Sequence, residues 1–263
     1  MIELKKLIYK VSLRTTIGSV NIKINNISFD SRLVKKNFIF VALSGSIDNG
    51  FRYIDQAILN GANSIICEEV PKSINKKITY LIVEDSKKAL AIISNNFYDN
   101  PSKKISLIGI TGTNGKTSVA TFCRQLWNEA GTQAINIGTT GVEGSWSTPL
   151  NYTTPDPVKL HQVLHKAASE GITHVAMEAS SHGLDQRRLD GVEIKTTAFT
   201  NFSRDHLDYH ISYEDYFNAK KGLFERLCPK EKVGVFNIDN RKIKDLKKCL
   251  ANSDVIVSIW SNN

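Results

Sequence analysis

Short apolar runs separated by polar turns dominate the first hundred residues, and their spacing predicts alternating strands and helices. The runs taken as strands are rich in β-branched residues and short enough to cross a buried sheet once. Two other stretches place apolar residues at helical spacing, and Gly61 suits the end of the first of these helices. We therefore predict a small α/β unit here. The predicted strands are 38–43, 64–67 and 80–83, and the predicted helices are 53–60 and 86–98.

A polar stretch that ends at Pro101 and Ser102 marks a change of pattern, and we place a domain boundary there because proline disfavours helix in the residue before it. Beyond it, strands and helices alternate strictly, which is typical of a mostly parallel sheet with helices on both faces. The predicted domains are 1–100 and 101–263, and the fold class is α/β. The predicted strands are 105–110, 134–137, 174–177, 197–200, 232–237 and 255–259, and the predicted helices are 117–129, 157–169 and one from about 212.

Composition is that of an ordinary globular protein, with 41% hydrophobic and 23% charged residues in 263. The net charge of +8 suits an anionic partner, but no nucleic-acid-binding pattern accompanies the dispersed lysines, so nucleic acid is not expected. No stretch reaches the ~18 apolar residues of a membrane span, and the N-terminus carries no signal-like apolar region. We expect a cytoplasmic protein without membrane contact. Four scattered cysteines form no CxxC pair, which predicts neither a zinc site nor disulfides.

The segment Thr-Gly-Thr-Asn-Gly-Lys-Thr-Ser, residues 111–118, joins a predicted strand to a predicted helix. Backbone N–H groups of such a loop point at a polyanion, so we predict that it binds the phosphates of ATP. Lys116 would add positive charge, and the Thr117 hydroxyl would ligate Mg²⁺. The common pattern has glycine where this chain has Ile110, so a plain glycine-rich turn is the alternative. The predicted nucleotide-binding residues are Gly112, Thr113, Asn114, Gly115, Lys116, Thr117 and Ser118.

Two further segments, 177–188 and 200–210, place polar residues at the ends of neighbouring predicted strands, where open α/β sheets bind ligands. Together with the loop they resemble the Mur ligases of peptidoglycan synthesis, and among these the ligases that add the third amino acid to the precursor. The resemblance covers essentially the whole chain. Its four most specific features are Asp30-Ser31-Arg32, Thr153-Thr154-Pro155-Asp156, Ser180-Ser181-His182-Gly183-Leu184-Asp185-Gln186-Arg187-Arg188 and Tyr216-Phe217-Asn218-Ala219-Lys220.

The resemblance implies that Glu178 and His206, with Thr117, hold Mg²⁺; a satisfied polar pair at a strand end is the alternative. It also implies that Lys220 is carbamylated by CO₂ and helps to hold a second Mg²⁺, whereas a solvated surface lysine is the alternative. Lys220 lies on the helix whose start Ser212 signals, with an acid three residues later. The implied catalytic residues are Lys116, Lys220 and His206. The implied substrate contacts are Ser31, Thr153, Thr154, Ser180, Gln186 and Arg188.

The implied fold is a small N-terminal domain for the UDP-substrate followed by a P-loop-type ATP-binding domain. In the implied reaction, ATP phosphorylates the D-glutamate side chain of UDP-MurNAc-L-Ala-D-Glu, and a diamino acid, by default meso-diaminopimelate, attacks the acyl phosphate. The family's C-terminal amino-acid-binding domain has no counterpart in this sequence. We therefore expect a truncated ligase that is weak or inactive alone. We also expect a monomer.

Two other interpretations stay open at this point. The chain could be a non-catalytic nucleotide-binding half of a split ligase whose C-terminal domain is separately encoded. Folylpolyglutamate and cyanophycin synthetases use a similar loop, although the Asp30-Ser31-Arg32 and Thr153-Thr154-Pro155 segments speak against both. Two departures from the family pattern, Lys35-Lys36-Asn37 and Tyr152, concern fine substrate contacts.

Overall fold

The computed structural model describes residues 1–45, 49–227, 233–237, 246 and 256–259. The chain forms two compact units, Met1–Asn100 and Pro101–Asn263. Among the helices in the described ranges, none combines the length and apolar character needed to cross a bilayer. Cys67 and Cys123 are free thiols; the other two cysteines, 228 and 249, fall outside the described residues.

The first unit is built on a parallel sheet. Its elements are β1 (Ile2–Glu3), α1 (Leu4–Leu7), β2 (Leu13–Ile17), β3 (Lys23–Ile24), β4 (Asn26–Ser28), β5 (Phe38–Val41), α2 (Ile54–Leu59), β6 (Ala62–Cys67), β7 (Thr79–Val83) and α3 (Ser86–Phe97), with 3₁₀ turns at Ser31–Leu33 and Gly50–Tyr53. Five of the described strands pair in the order β2-β7-β6-β5-β4, and only β2 is antiparallel to its neighbour. A separate antiparallel pair joins β1 to β3.

The three predicted strands and two predicted helices of this unit are present. Strand β7 is buried along its whole length, as expected for a strand covered on both faces of a mostly parallel sheet. Helix α3 begins where predicted because the Asp85 carboxylate accepts a hydrogen bond from the Lys88 N–H at 2.9 Å. The predicted helix 53–60 starts as a 3₁₀ turn and becomes α-helical at Ile54. Strands β1 to β4 were not predicted, since each is too short or too polar to show a period.

The second unit alternates strands and helices. Its elements are β8 (Ser106–Thr111), α4 (Lys116–Glu129), β9 (Ala134–Gly138), β10 (Gly141–Glu143), α5 (Pro157–Ser169), β11 (His174–Glu178), α6 (Ser181–Asp185), β12 (Thr196–Phe199), α7 (Tyr213–Arg226), β13 (Val233–Asn237) and β14 (Ile256–Ile259), with a 3₁₀ turn at Pro101–Lys104. Its described strands pair in the order β10-β9-β11-β8-β12-β13-β14, and only β10 is antiparallel. The mostly parallel sheet is therefore confirmed.

Buried side chains of this sheet point alternately to two cores. Ile110 and Ala176 pack with Ala120 of α4 on one face. Leu107 and Val175 belong to the larger core on the other face, which also contains apolar residues of α5 and α7. Helices therefore cover both faces, as predicted. The order of strands then places β8 directly between β11 and β12, so that the segments following these three strands emerge side by side.

Candidate active site

A cleft of about 720 Å³ opens at the carboxyl ends of β8, β11 and β12. Ligands of open α/β sheets bind in this position, because the loops that leave neighbouring parallel strands converge there. All of the lining residues belong to the second unit. They are Thr113, Asn114, Gly115, Lys116, Thr117, Thr139, Tyr152, Thr153, Glu178, Ser180, His182, Gln186, Arg188 and His206.

The loop after β8 is held in place by the segment after β12. The Asn201 carbonyl accepts from the Thr113 N–H at 2.9 Å, and the Asn201 side chain both accepts from the Asn114 N–H at 3.0 Å and donates to the Asn114 carbonyl at 3.1 Å. The Thr200 hydroxyl donates to the same carbonyl at 2.6 Å. The backbone N–H groups of Thr113 and Asn114, which were predicted to face phosphate, therefore donate to Asn201 instead. The N–H groups at the start of α4 have no acceptor within the helix, so they are the donors left for an anion.

Gly112 allows this close approach. Its φ of +144° is a conformation that L side chains rarely adopt. A Cβ at this position would also overlap the Thr200 hydroxyl. Glycine is thus required here by both backbone conformation and space.

Lys116 folds back over the loop. Its Nζ donates to the carbonyls of Gly112 at 3.0 Å and Thr113 at 2.9 Å. Burial lowers the pKa of Lys116, and the nearby carboxylates of Glu178 and Asp205 act in the opposite direction. The ammonium group is therefore held at the mouth of the loop by neutral acceptors that an anionic ligand can replace.

Glu178 is a buried carboxylate at the end of β11, with 1% of its surface exposed. Its Oε1 accepts from the Thr117 hydroxyl at 2.9 Å and from the Thr139 N–H at 2.8 Å. Gly138 makes room for it, since a Cβ there would overlap the carboxylate. Thr139 was not predicted as a site residue. Its position directly after β9, at the same edge of the sheet, is the signal that identifies it.

His206 also lines the cleft, and its backbone lies in the left-handed region with a φ of +52°. Its ring contacts the ring of His182, with centroids 4.9 Å apart, and the ring of Tyr216 at 5.8 Å. The Asp205 carboxylate is 3.6 Å from His206 Nε2. Aromatic neighbours and an adjacent acid thus restrict the orientation of the imidazole.

Lys220 is buried beneath the loop, with 1% of its surface exposed, so the alternative of a solvated surface lysine is wrong. Its Nζ donates to the Gly112 carbonyl at 2.8 Å and lies 4.5 Å from the centre of the Tyr216 ring. Burial, together with the charge of Lys116, lowers the pKa of Lys220 to about 7. The helix that carries it begins as predicted, since the Ser212 hydroxyl accepts from the Asp215 N–H at 3.1 Å.

Arg188 also lines the cleft. One Nη donates to the Thr154 carbonyl at 2.6 Å, while Nε and the other Nη donate to Gln186 Oε1 at 3.1 and 2.7 Å. Tyr152 covers the guanidinium, with the ring centre 4.5 Å from Cζ. Burial lowers the pKa of Arg188 from its usual value. A planar cation is thus presented to the cleft with its orientation defined on three sides.

The remaining predicted substrate residues lie in different environments. Thr153 and Ser180 line the cleft. Thr154 does not, because its buried hydroxyl donates to the Glu178 carbonyl at 2.8 Å and accepts from the Ser180 N–H at 2.9 Å. Ser31 is a buried residue of the first unit. The nucleotide assignment of Ser118 and the contacts of the other four with a substrate stay predictions.

Known proteins are similar to this chain over the segments that form the cleft. The family model of the Mur ligase middle domain matches residues 110–263. A UDP-N-acetylmuramoyl-L-alanyl-D-glutamate--2,6-diaminopimelate ligase from Brucella melitensis is 46% identical over 221 residues, which cover 84% of this chain and 45% of that protein. The ligase of the same name from Parabacteroides distasonis is 37% identical over 254 residues, which cover 93% of this chain and 52% of that protein.

A solved structure of a ligase with this name is similar to the whole chain. It gives a TM-score of 0.82 at 27% identity and covers 100% of this chain but 53% of that protein. The chain therefore spans about half the length of the relatives it matches. Because the middle-domain match takes in more than half of the chain and includes the loop, Glu178 and Lys220, the chain belongs to the Mur ligase family.

Proposed function

We propose that the chain carries the ATP-dependent activation of a carboxylate in a ligase that joins 2,6-diaminopimelate to UDP-MurNAc-L-Ala-D-Glu. One observation carries this proposal. The glycine-rich loop with Lys116 and the guanidinium of Arg188 line the same cleft. A triphosphate and an anionic acceptor bound there would be neighbours, and phosphoryl transfer depends mostly on such positioning and on neutralised charge.

In the proposed reaction, a carboxylate oxygen of the D-glutamate side chain attacks the γ-phosphorus of ATP. The bond from the γ-phosphorus to the bridging oxygen breaks, so that ADP leaves and an acyl phosphate forms. Lys116 and the first N–H groups of α4 stabilise the phosphate charge during this step. Arg188 holds the acceptor, since two parallel N–H donors match a carboxylate. The amine of the diamino acid then displaces phosphate to form the amide.

The residues around Glu178 fit a magnesium ion. A buried carboxylate, a threonine hydroxyl and an imidazole converge on the cleft from Glu178, Thr117 and His206, and oxygen donors suit Mg²⁺. Within the described residues no group of three or more His, Cys, Asp and Glu side chains could hold a metal by itself, so phosphate oxygens would complete the shell. Bound Mg²⁺ would neutralise phosphate charge.

We also propose that Lys220 carries a carbamate. A neutral amine is needed to add to CO₂, with release of one proton, and the pKa of about 7 leaves a large neutral fraction at neutral pH. The carbamate would be an anion close to the loop that carries Lys116. It would add oxygen donors for a second Mg²⁺ at the site where the resemblance places one.

Hydroxylamine tests the first half of this reaction, because it traps an acyl phosphate as a hydroxamate without needing the amino-acid pocket. The assay follows ADP and hydroxamate with ATP, Mg²⁺ and UDP-MurNAc-L-Ala-D-Glu. We expect both products in equal amounts, and neither when the UDP-dipeptide is omitted. ADP release that does not depend on the UDP-dipeptide would contradict the proposal, and ATP binding without any hydroxamate would favour a non-catalytic nucleotide-binding module.

Two lysine variants test whether hydroxamate formation depends specifically on Lys116. Lys116→Met removes the ammonium at the loop and should abolish hydroxamate formation. Lys103→Met is the matched control, since Lys103 is an exposed lysine of the same unit outside the cleft. Equal loss in the two variants would mean that Lys116 has no specific role.

A further inference from the structure

We infer that Tyr209 is a positioning residue for the substrate carboxylate, acting through Gln186 on Arg188. The inference rests on the proposed function, because it assigns a carboxylate ligand to Arg188. It goes beyond that function in naming a residue that does not line the cleft and a hydrogen-bonded chain that ends at Asp185.

The hydrogen-bonded series has four members, the side chains of Asp185, Tyr209, Gln186 and Arg188. The Tyr209 hydroxyl donates to Asp185 Oδ2 at 2.7 Å and accepts from Gln186 Nε2 at 3.1 Å. Gln186 Oε1 in turn accepts twice from Arg188, at 2.7 and 3.1 Å. The His182 ring packs against Tyr209, with centroids 4.1 Å apart. The phenol is thus held by polar groups at its hydroxyl and by a ring on its face.

Arg188 and Asp185, the two end members of this hydrogen-bonded series, determine which group donates in each of its hydrogen bonds. A guanidinium can only donate, so Gln186 must turn its oxygen toward Arg188. The amide nitrogen of Gln186 then points at Tyr209, whose oxygen must accept. A carboxylate can only accept, so the proton of Tyr209 goes to Asp185. No link can reverse without placing two donors or two acceptors face to face, and this holds the Gln186 amide in one orientation.

Held in this way, Arg188 keeps donors for a ligand. Of its five N–H groups, the described residues accept three, two at Gln186 and one at the Thr154 carbonyl. The guanidinium lines the cleft, so its remaining two N–H groups can donate hydrogen bonds to a carboxylate ligand. Tyr209 therefore contributes to recognition without contacting the ligand, by restricting the amide that restricts the guanidinium.

Tyr209→Phe removes the central link and leaves the ring contact with His182 in place. The loss of one hydrogen bond of ordinary strength should weaken the affinity for UDP-MurNAc-L-Ala-D-Glu by roughly three- to tenfold. Affinity for UDP-MurNAc-L-Ala, which lacks the D-glutamate carboxylates, should not change. Tyr213→Phe is the matched control, because Tyr213 is 40% exposed and Tyr209 is 39% exposed.

Isothermal titration calorimetry on the full chain measures both ligands, and a double-mutant cycle separates positioning from general damage. In an Arg188→Met background, Tyr209→Phe should have no further effect, because the proposed route through the guanidinium has been removed. Asp185→Ala, at an exposed position, provides a second variant and should weaken binding of the same ligand in the same direction. ATP affinity and the thermal unfolding midpoint report whether each variant is folded.

The outcomes separate the two proposals. Equal affinity of wild type and Tyr209→Phe for the UDP-dipeptide would overturn the positioning role alone. The same loss with Arg188→Met as with Arg188 intact, or equal loss for both ligands, would also overturn it. A wild-type chain that does not prefer the ligand with the D-glutamate group would overturn the proposed function, and the positioning role with it.

Discussion

His161 is fully buried in helix α5, and in the described part of the chain neither ring nitrogen has a hydrogen-bond partner. Burial lowers the pKa of His161 to about 3. The fold therefore holds this imidazole neutral at any pH above that value. We predict that this single residue accounts for a measurable part of the acid sensitivity of the second unit.

The direction and the size of the change in the free energy of unfolding follow from proton linkage. Above pH ~6.5 the imidazole is neutral in both folded and unfolded chains, so it contributes no pH dependence. Below that pH the unfolded chain binds a proton that the folded chain excludes, and the free energy of unfolding falls by about 1.4 kcal/mol per pH unit. At pH 5.0 the accumulated loss is about 2 kcal/mol. It would continue to grow until the pH approaches the folded pKa of about 3.

The perturbation is His161→Leu, which keeps an apolar side chain of similar size in the core and cannot be protonated. Urea unfolding at pH 7.5 and pH 5.0 gives the free energy of unfolding for each protein. Trp127 and Trp146 lie in the second unit and residues 1–100 contain no tryptophan, so the fluorescence of these two residues reports unfolding of the second unit. We expect the variant to lose about 2 kcal/mol less than wild type between the two pH values.

His165 supplies the control, because it lies one helical turn later on α5 and is exposed. His165→Leu should change the difference between the two pH values less than His161→Leu does, because it removes no buried ring. If His161→Leu and wild type lost equal stability on acidification, the imidazole would have to be solvated or partnered in the folded state. That result would refute the reasoning.

The remaining predictions concern the cleft. Gly138→Ala should displace the Glu178 carboxylate, because the new Cβ would overlap it, and a misplacement of this kind should slow hydroxamate formation by about 100-fold. Lys220→Arg cannot form a carbamate, so we expect the NMR signal from ¹³C-labelled bicarbonate to be lost and ADP release to fall. Tyr152→Leu removes the ring 4.5 Å from the Arg188 guanidinium, which should weaken affinity for the UDP-dipeptide about two- to fivefold.

Each of these has a result that would contradict it. Gly131 has a positive φ, and a Cβ added there would meet open space, so Gly131→Ala should cost stability without loss of activity. Equal activity of the two glycine variants would show that Glu178 tolerates displacement. A carbamate signal that survives in Lys220→Arg would assign the modification to another residue. Unchanged affinity in Tyr152→Leu would remove the ring from the recognition of the substrate.

Local signals in the sequence were sufficient for the main elements and for the loop. Helix α5 was predicted from Pro157 to Ser169 and has those bounds, because Asp156 caps it and proline suits its first turn. The loop was predicted from a strand, two glycines and a Lys-Thr pair that are contiguous in sequence. Glu178 directly follows a predicted strand at the edge where ligands bind, but its role as a site residue came from the resemblance to the Mur ligases.

Contacts between distant segments could not be predicted in the same way. Asn201 binds the loop from a position 87 residues away from Asn114, and Lys220 reaches Gly112 across 108 residues. Thr154 looked like a cleft residue in its motif, but the structure uses its hydroxyl inside the protein. These relations depend on which strands are neighbours, and a hydrophobic period carries no information about strand order.

By itself, then, the sequence determined the alternation of strands and helices, the ends of several helices and the glycine-rich loop between β8 and α4. Each of these depends on interactions between residues a few positions apart. Only the tertiary structure decided that β8 lies between β11 and β12, and hence that Lys116, Glu178 and Arg188 share one cleft. The physical reason is that strand order follows from how helices pack on both faces of the sheet, which is a property of the whole core.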